Sequence, residues 1–228
     1  MSYKYRMHAH TLPCSDCAQR TIEELVEHLH LGGYQGCVIT NHFLNGNTGI
    51  DRNLPWEDFV KQYELDYLRG KEAAEKFDID LLFGVEEHVS GGLEILCYGI
   101  TPDILYAHPE LSERSCEVWH GVLSSYGALC IQAHPFRVRD YIPEPKLLPL
   151  EFIDGIEIFN AENNESENAN AQEAALAHPE FILTSGADSH RNRSICIGGI
   201  ESETRIRDEK ELVKVLRSGK YEIIKNNS

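Results

Sequence analysis

Positive charge is scarce in this chain: 21 Lys and Arg stand against 37 Asp and Glu, a formal net charge of −16. A protein that grips nucleic acid by general charge needs a basic face that releases counterions, so the imbalance argues against long nucleic acids. It argues equally against an anionic membrane surface. Long apolar runs are missing too, since no stretch approaches the roughly 18 residues of a membrane span. The first eight residues, Met-Ser-Tyr-Lys-Tyr-Arg-Met-His, hold no apolar segment after their basic side chains, so no secretory signal is expected. A disulfide pattern is also lacking. The seven cysteines (14, 17, 37, 97, 116, 130 and 196) are odd in number and scattered, several inside apolar runs such as Gly36-Cys37-Val38-Ile39. Such thiols suit a reducing, cytoplasmic setting. Cys14-x-x-Cys17 has zinc-knuckle spacing, but no second pair completes four ligands. Without low-complexity tracts, linkers or long repeats, residues 1–228 read as one soluble domain.

What the chain does hold is eleven histidines on a regular alternation of strand-like and helical segments. Short apolar runs occur at Tyr3–Met7, Cys37–Thr40, Leu81–Val85, Ile95–Tyr98, Ala128–Gln132, Gly155–Phe159 and Phe181–Thr184. Helical periodicity separates them. One helix opens at Thr21 with a capping-box glutamate at position 24 and closes at Gly32-Gly33. Others are expected over 55–77, 111–126, 167–177 and 208–216. Strands alternating with helices predict a mainly parallel sheet, open or closed into a barrel. In such folds functional groups gather beyond the carboxyl ends of the strands.

That rule sorts the histidines. His8 and His10 follow the first strand, and a spacing of two on extended chain puts both side chains on one face. His28 and His30 share that spacing inside a helix, where it sets them about 200° apart, so they read as solvated surface residues. His42 ends the second strand, and Glu86 ends the third with Glu87 and His88 beyond it. Ala-His-Pro occurs three times, around His108, His134 and His178, but only His134 follows a strand run. His120 lies in a helical stretch. The sixth strand delivers Glu157 and Asn160, and the last delivers Asp188 and His190. Ionisable groups crowded into one mouth would repel one another and resist desolvation. Divalent cations relieve that crowding, and imidazoles with carboxylates suit two or three ions such as zinc, iron or manganese.

On these residues the sequence resembles the polymerase and histidinol phosphatase (PHP) family of metal-dependent phosphoesterases. The resemblance runs through His8-Ala9-His10-Thr11, Ile39-Thr40-Asn41-His42, Gly84-Val85-Glu86, Ala133-His134-Pro135-Phe136-Arg137, Gly155-Ile156-Glu157-Ile158-Phe159-Asn160 and Gly186-Ala187-Asp188-Ser189-His190. It implies an α/β fold, a distorted (β/α)7 barrel. It also implies a first metal on His8, His10, Glu86 and Asp188, a second sharing Glu86 and using His134, and a third on His42 and His190. Three departures stand out. Asn41 replaces the family's usual aspartate, Glu94 stands where a histidine often precedes the fourth strand, and Asp16 is the candidate for a ligand that the family often places in the loop after the opening motif.

The activity implied is hydrolysis of a phosphate ester, most simply a small phosphomonoester, by a metal-activated hydroxide. Arg137, Asp188 and His190 are the expected catalytic residues, with Arg137 stabilising charge on the phosphoryl group. Asn160, Arg191 and Arg193 are candidates for substrate binding. Arg52, Trp56, Arg139 and Tyr141 sit in loops expected to shape the mouth. The alternatives are a nuclease or phosphodiesterase, an amidohydrolase, and a metal-binding module without turnover. The amidohydrolase reading lacks a lysine after a middle strand, where those barrels often carry a metal-bridging one.

Overall fold

The computed structural model describes residues 2–188 and 198–225. Among these residues, nine strands form one sheet in the spatial order β7-β6-β5-β4-β3-β2-β1-β8-β9. Strands β1 (Tyr3–Arg6), β2 (Gly36–Ile39) and β3 (Asp80–His88) run parallel, as do β5 (Leu129–Gln132), β6 (Gly155–Asn160) and β7 (Ile182–Gly186). Between these groups β4 (Glu94–Tyr98) lies antiparallel to both neighbours. The chain between β3 and β4 is too short for a parallel crossover, which needs a dozen residues or more. Strands β8 (Gly199–Ser202) and β9 (Glu222–Ile224) extend the other edge in antiparallel fashion.

The sheet curls until β7 meets the start of the chain. The Asp188 amide donates to the His8 carbonyl at 3.3 Å, and Ser185 Oγ bridges to the Gly199 carbonyl at 2.8 Å. Gly186 makes the approach possible, because a Cβ there would lie 2.5 Å from the His8 Cβ and collide with the Glu157 carboxylate. The result is a nearly closed α/β barrel whose residues alternate between lumen and outer face. Tyr5, Val38, Leu82, Leu96 and Ile131 fill the lumen. Cys37, Ile39 and Leu81 point outward to Ile22, Leu25, Val26 and Leu29 of α1 (Ile22–Leu31).

Of the remaining helices, α2 (Trp56–Glu75) and α4 (Cys116–Ser125) pack on the outer face, around an aromatic cluster of Phe43, Phe59, Tyr63 and Trp119. The expected helix over 111–126 is shorter than its periodicity suggests, because α3 (Pro102–Ala107) and a 3-10 turn at Pro109–Ser112 precede α4. Helix α5 (Glu165–Ala177) starts at a capping box between Asn164 and Glu167. Helix α6 (Glu209–Ser218) contributes Leu212, Val215 and Leu216 to the lumen cluster. Its Val213 meets Gly99, just past the end of β4 that points away from the mouth. Among the described residues no helix is long and apolar enough to cross a membrane.

Candidate metal centre

The lumen-facing row of β3 runs Leu82, Gly84, Glu86, so strand periodicity alone carries the Glu86 carboxylate to the mouth. Its oxygens are the hub. Glu86 Oε1 lies 3.1 Å from His8 Nε2 and 3.2 Å from His134 Nε2. Glu86 Oε2 lies 3.2 Å from His10 Nε2 and 3.0 Å from His42 Nδ1. Asp188 Oδ1 reaches both members of the opening pair, 3.5 Å from His8 Nε2 and 3.2 Å from His10 Nε2. Glu94 enters because β4 is reversed: its first residue, not its last, faces the mouth. Its oxygens come within 3.5 Å of His134 Nε2 and 3.8 Å of His42 Nδ1.

Backbone and neighbouring side chains hold these groups in place. His134 and Asp188 adopt φ of 28° and 46°, a left-handed conformation that costs energy outside glycine and turns the chain sharply at the ends of β5 and β7. Glu157, at a register shift in β6, sets the His8 ring from Nδ1 at 3.1 Å and accepts the His134 amide at 3.1 Å. Ser15 Oγ lies 3.2 Å from His10 Nδ1, donates to Asn41 Oδ1 at 2.9 Å, and accepts the His42 amide at 2.9 Å. Asn41 itself accepts the Thr11 amide and donates to the buried carboxylate of Asp66 at 3.2 Å. An aspartate at 41 would face Asp66 as a second acid, which accounts for the amide at this place.

Every one of these ligand-type side chains is buried. Burial opposes protonation of His8, yet Glu86, Asp188 and Glu157 outweigh it and hold its pKa well above the ordinary value. His42 is raised in the same way, with burial overcome by Glu86 and by its contacts with Cys17 and Glu94. Glu86 is depressed far below the usual carboxylate range, because His8, His42 and His134 outweigh its own burial. Glu94 goes the other way, raised by burial and by Glu86. Even so, Glu86 Oε2 is buried without a hydrogen bond among the described residues. Among the described residues, four groups of three offer ligand atoms within 4.8 Å of one another: His8-His10-Asp188, His8-Glu86-His134, His42-Glu86-Glu94 and His10-Cys17-His42. A carboxylate oxygen lacking a donor among convergent imidazoles and acids is a donor set that fits divalent cations.

The sequence-based candidates divide accordingly. His8, His10, His42, Glu86, Glu94, His134 and Asp188 come together. Asp16 does not: it is exposed, and the next residue but one from Ser15, Cys17, faces the cluster instead. The His190, Arg191 and Arg193 candidates lie outside the described residues. Arg137 is at the site but is engaged, its Nη2 donating to Asp188 Oδ2 at 2.6 Å and Asn160 Oδ1 at 2.8 Å, and its Nε to Asn163 Oδ1 at 2.8 Å. Asn160 in turn donates to Glu157 Oε2 at 2.8 Å. Arg52 is held by the Leu44 and Gly46 carbonyls, Trp56 by the Leu105 carbonyl, and Arg139 by Glu167. Tyr141, 55% exposed, lines the mouth. His28 is half-buried rather than solvated, its Nε2 enclosed against Arg6 and Arg20. Sequence reasoning missed Ser15, Asp66 and Asn163. Their roles depend on contacts across loops, and no local spacing signals them.

No protein-family model matches the chain, and a search of curated proteins returns no match. Solved structures do share its fold. A two-domain protein from Bacteroides vulgatus containing a predicted PHP-like metal-dependent phosphoesterase aligns with a TM-score of 0.73 at 13% identity, over 99% of this chain and 65% of that one. An amidohydrolase from Chromobacterium violaceum aligns at 0.61 with 15% identity, over 97% of each chain. The lesion-specific endonuclease Q from Pyrococcus furiosus aligns at 0.59 with 15% identity, over 98% of this chain and 58% of that one. At these identities the likeness is one of architecture: the chain has the α/β barrel fold found in PHP-like metal-dependent phosphoesterases.

Proposed function

We propose that the protein is a metal-dependent phosphoesterase acting on a small phosphomonoester. The observation that carries this reading is the buried Glu86 carboxylate, whose two oxygens are met by four imidazoles within 3.2 Å while one of them has no hydrogen bond among the described residues. Divalent cations, when bound there, supply Lewis acidity toward phosphoryl oxygens and a hydroxide at neutral pH. The chain's own residues prepare the site. Glu157 fixes the His8 ring so that Nε2 faces inward, Ser15 does the same for His10, and Arg137 with Asn160 pins one oxygen of Asp188 and leaves the other toward the two histidines. Above them opens a mouth of about 460 Å³ walled by Asn45, Arg52, His88 and Tyr141, a size suited to a small ligand. The −16 charge supports a small ester over long nucleic acid, because bound cations attract phosphate only at short range.

A panel of phosphomonoesters, phosphodiesters, amides and abasic-site DNA, assayed on metal-analysed protein, tests this reading. Hydrolysis of a monoester, lost in His10→Ala and Asp188→Ala variants that keep the wild-type circular dichroism, is the expected result. Full activity in both variants would place the chemistry elsewhere. Cleavage confined to the DNA would make the protein a nuclease, and bound metal without any turnover would make it a binding module.

A further inference from the structure

Cys14 and Cys17 are spaced as a zinc-knuckle pair, yet the structure sends them in opposite directions. Cys14 is fully buried in the apolar cluster with Phe43 and Tyr63, its Sγ directed to the Tyr63 carbonyl at 3.9 Å. Burial pushes that thiol far up, so it stays protonated. Cys17 instead lies on the wall of the mouth, half-buried, with its sulfur among His10 and His42.

The loop that carries it is fixed from several sides. Ser15 pairs with Thr48 as an antiparallel bridge, the Asp16 amide donates to the Asn47 carbonyl at 3.0 Å, and the Gly49 amide donates to the Cys14 carbonyl at 2.9 Å. Ser15 also ties the same loop to His10, Asn41 and His42. With the chain tied at positions 14, 15 and 16, Asp16 turns to solvent and Cys17 to the centre.

We propose that Cys17 is a metal ligand of this chain, its thiolate closing the outer end of the centre beside His42. His10 Nε2 already faces Glu86 and Asp188, and one ring nitrogen serves one cation. The outer position therefore draws on the Cys17 sulfur, on His42, and on the carboxylates of Glu86 and Glu94 that lie against His42. A thiolate among these donors shifts that position toward zinc or iron and away from magnesium or manganese. The inference rests on the metal-centre reading above, and the experiment separates the two.

The probe is cobalt(II), added to chelator-treated, metal-free protein and read by absorption with cobalt quantified per chain. The wild type and Cys14→Ser should both show a near-ultraviolet thiolate-to-cobalt band, and Cys17→Ser should lose it. Cys17→Asp guards against a folding artefact: it should retain bound cobalt and the visible bands of nitrogen and oxygen coordination while lacking the thiolate band. Visible bands without a thiolate band in the wild type would overturn the Cys17 assignment and leave the metal centre standing. Survival of the band in Cys17→Ser would also overturn it. Failure of the wild type to bind cobalt at all would remove both.

Discussion

Arg137 lies at the mouth and is engaged there by three side chains. From sequence it is a free cation three positions past a metal-type histidine, the natural partner for a phosphate. In the fold its guanidinium is 6% exposed and hydrogen-bonded to Asp188, Asn160 and Asn163. Asp188 is the largest of the attractions that outweigh burial and raise the Arg137 pKa, so the pair is charged and short. In that position Arg137 acts through Asp188. Arg137→Ala is therefore expected to weaken metal binding by about 10–100-fold, the usual cost of removing a group that orients a ligand. Saturating metal should restore much of kcat with KM for substrate little changed, which isothermal titration and steady-state kinetics at two metal concentrations will show. A large rise in KM at saturating metal would return Arg137 to the substrate. His8, His10, His42, Glu86 and His134 were legible because strand ends and a spacing of two dictate their direction. That Asp16 turns to solvent and Cys17 to the cluster is decided by hydrogen bonds to residues 47–49, which no local pattern records.

At the scale of elements, the seven barrel strands were readable from short apolar runs, since burial on both faces leaves that signature. The direction of β4 was not read, although its information was present: residues 89–93 cannot span a parallel crossover. The reversal matters to the site, because it is why Glu94, the first residue of its strand, arrives beside His42 and His134. Strands β8 and β9 are short and pair with chain remote in sequence, so nothing local marks them. Helix α1 starts at the capping box its sequence predicts, but His28 is half-buried, near two cations, Arg6 and Arg20, that come from outside the helix. Burial, with Arg20 and Arg6 adding, lowers the His28 pKa from 6.5 to about 4. The neutral ring is thus the folded form, while the unfolded chain takes up a proton near 6.5. Stability from this group is complete above that pH and is lost as pH falls toward about 4. His28→Gln should accordingly show a smaller drop in thermal midpoint between pH 7 and pH 5 than the parent. An equal or larger drop would mean that the ring is protonated in the folded protein.

For the molecule as a whole, the acid excess and the fold are two views of one arrangement. Glu86, Glu94, Glu157 and Asp188 are all buried at one end of the barrel, where water cannot screen them and where, among the described residues, imidazoles and Arg137 face their charge and cations would offset it. Chains that gather such groups give up stability when no cation is present, and regain it by mass action when one binds the folded state alone. At a free metal concentration about 100 times Kd the gain is about 2.7 kcal/mol for one site. For a chain of this length that corresponds to a rise in Tm of roughly 5–10 °C. Scanning calorimetry of chelator-treated protein, with and without zinc or manganese, should therefore show a metal-dependent rise of that order. The rise should be largely absent in Asp188→Ala, whose metal-free form should melt below the chelated parent, since the buried Arg137 loses its carboxylate partner at 2.6 Å. A parent Tm indifferent to zinc, manganese and iron would mean that the imidazoles satisfy the carboxylates by themselves. The cluster would then be a protonated ion-pair network of the barrel, and the buried Glu86 oxygen would need a water or a proton in place of a cation.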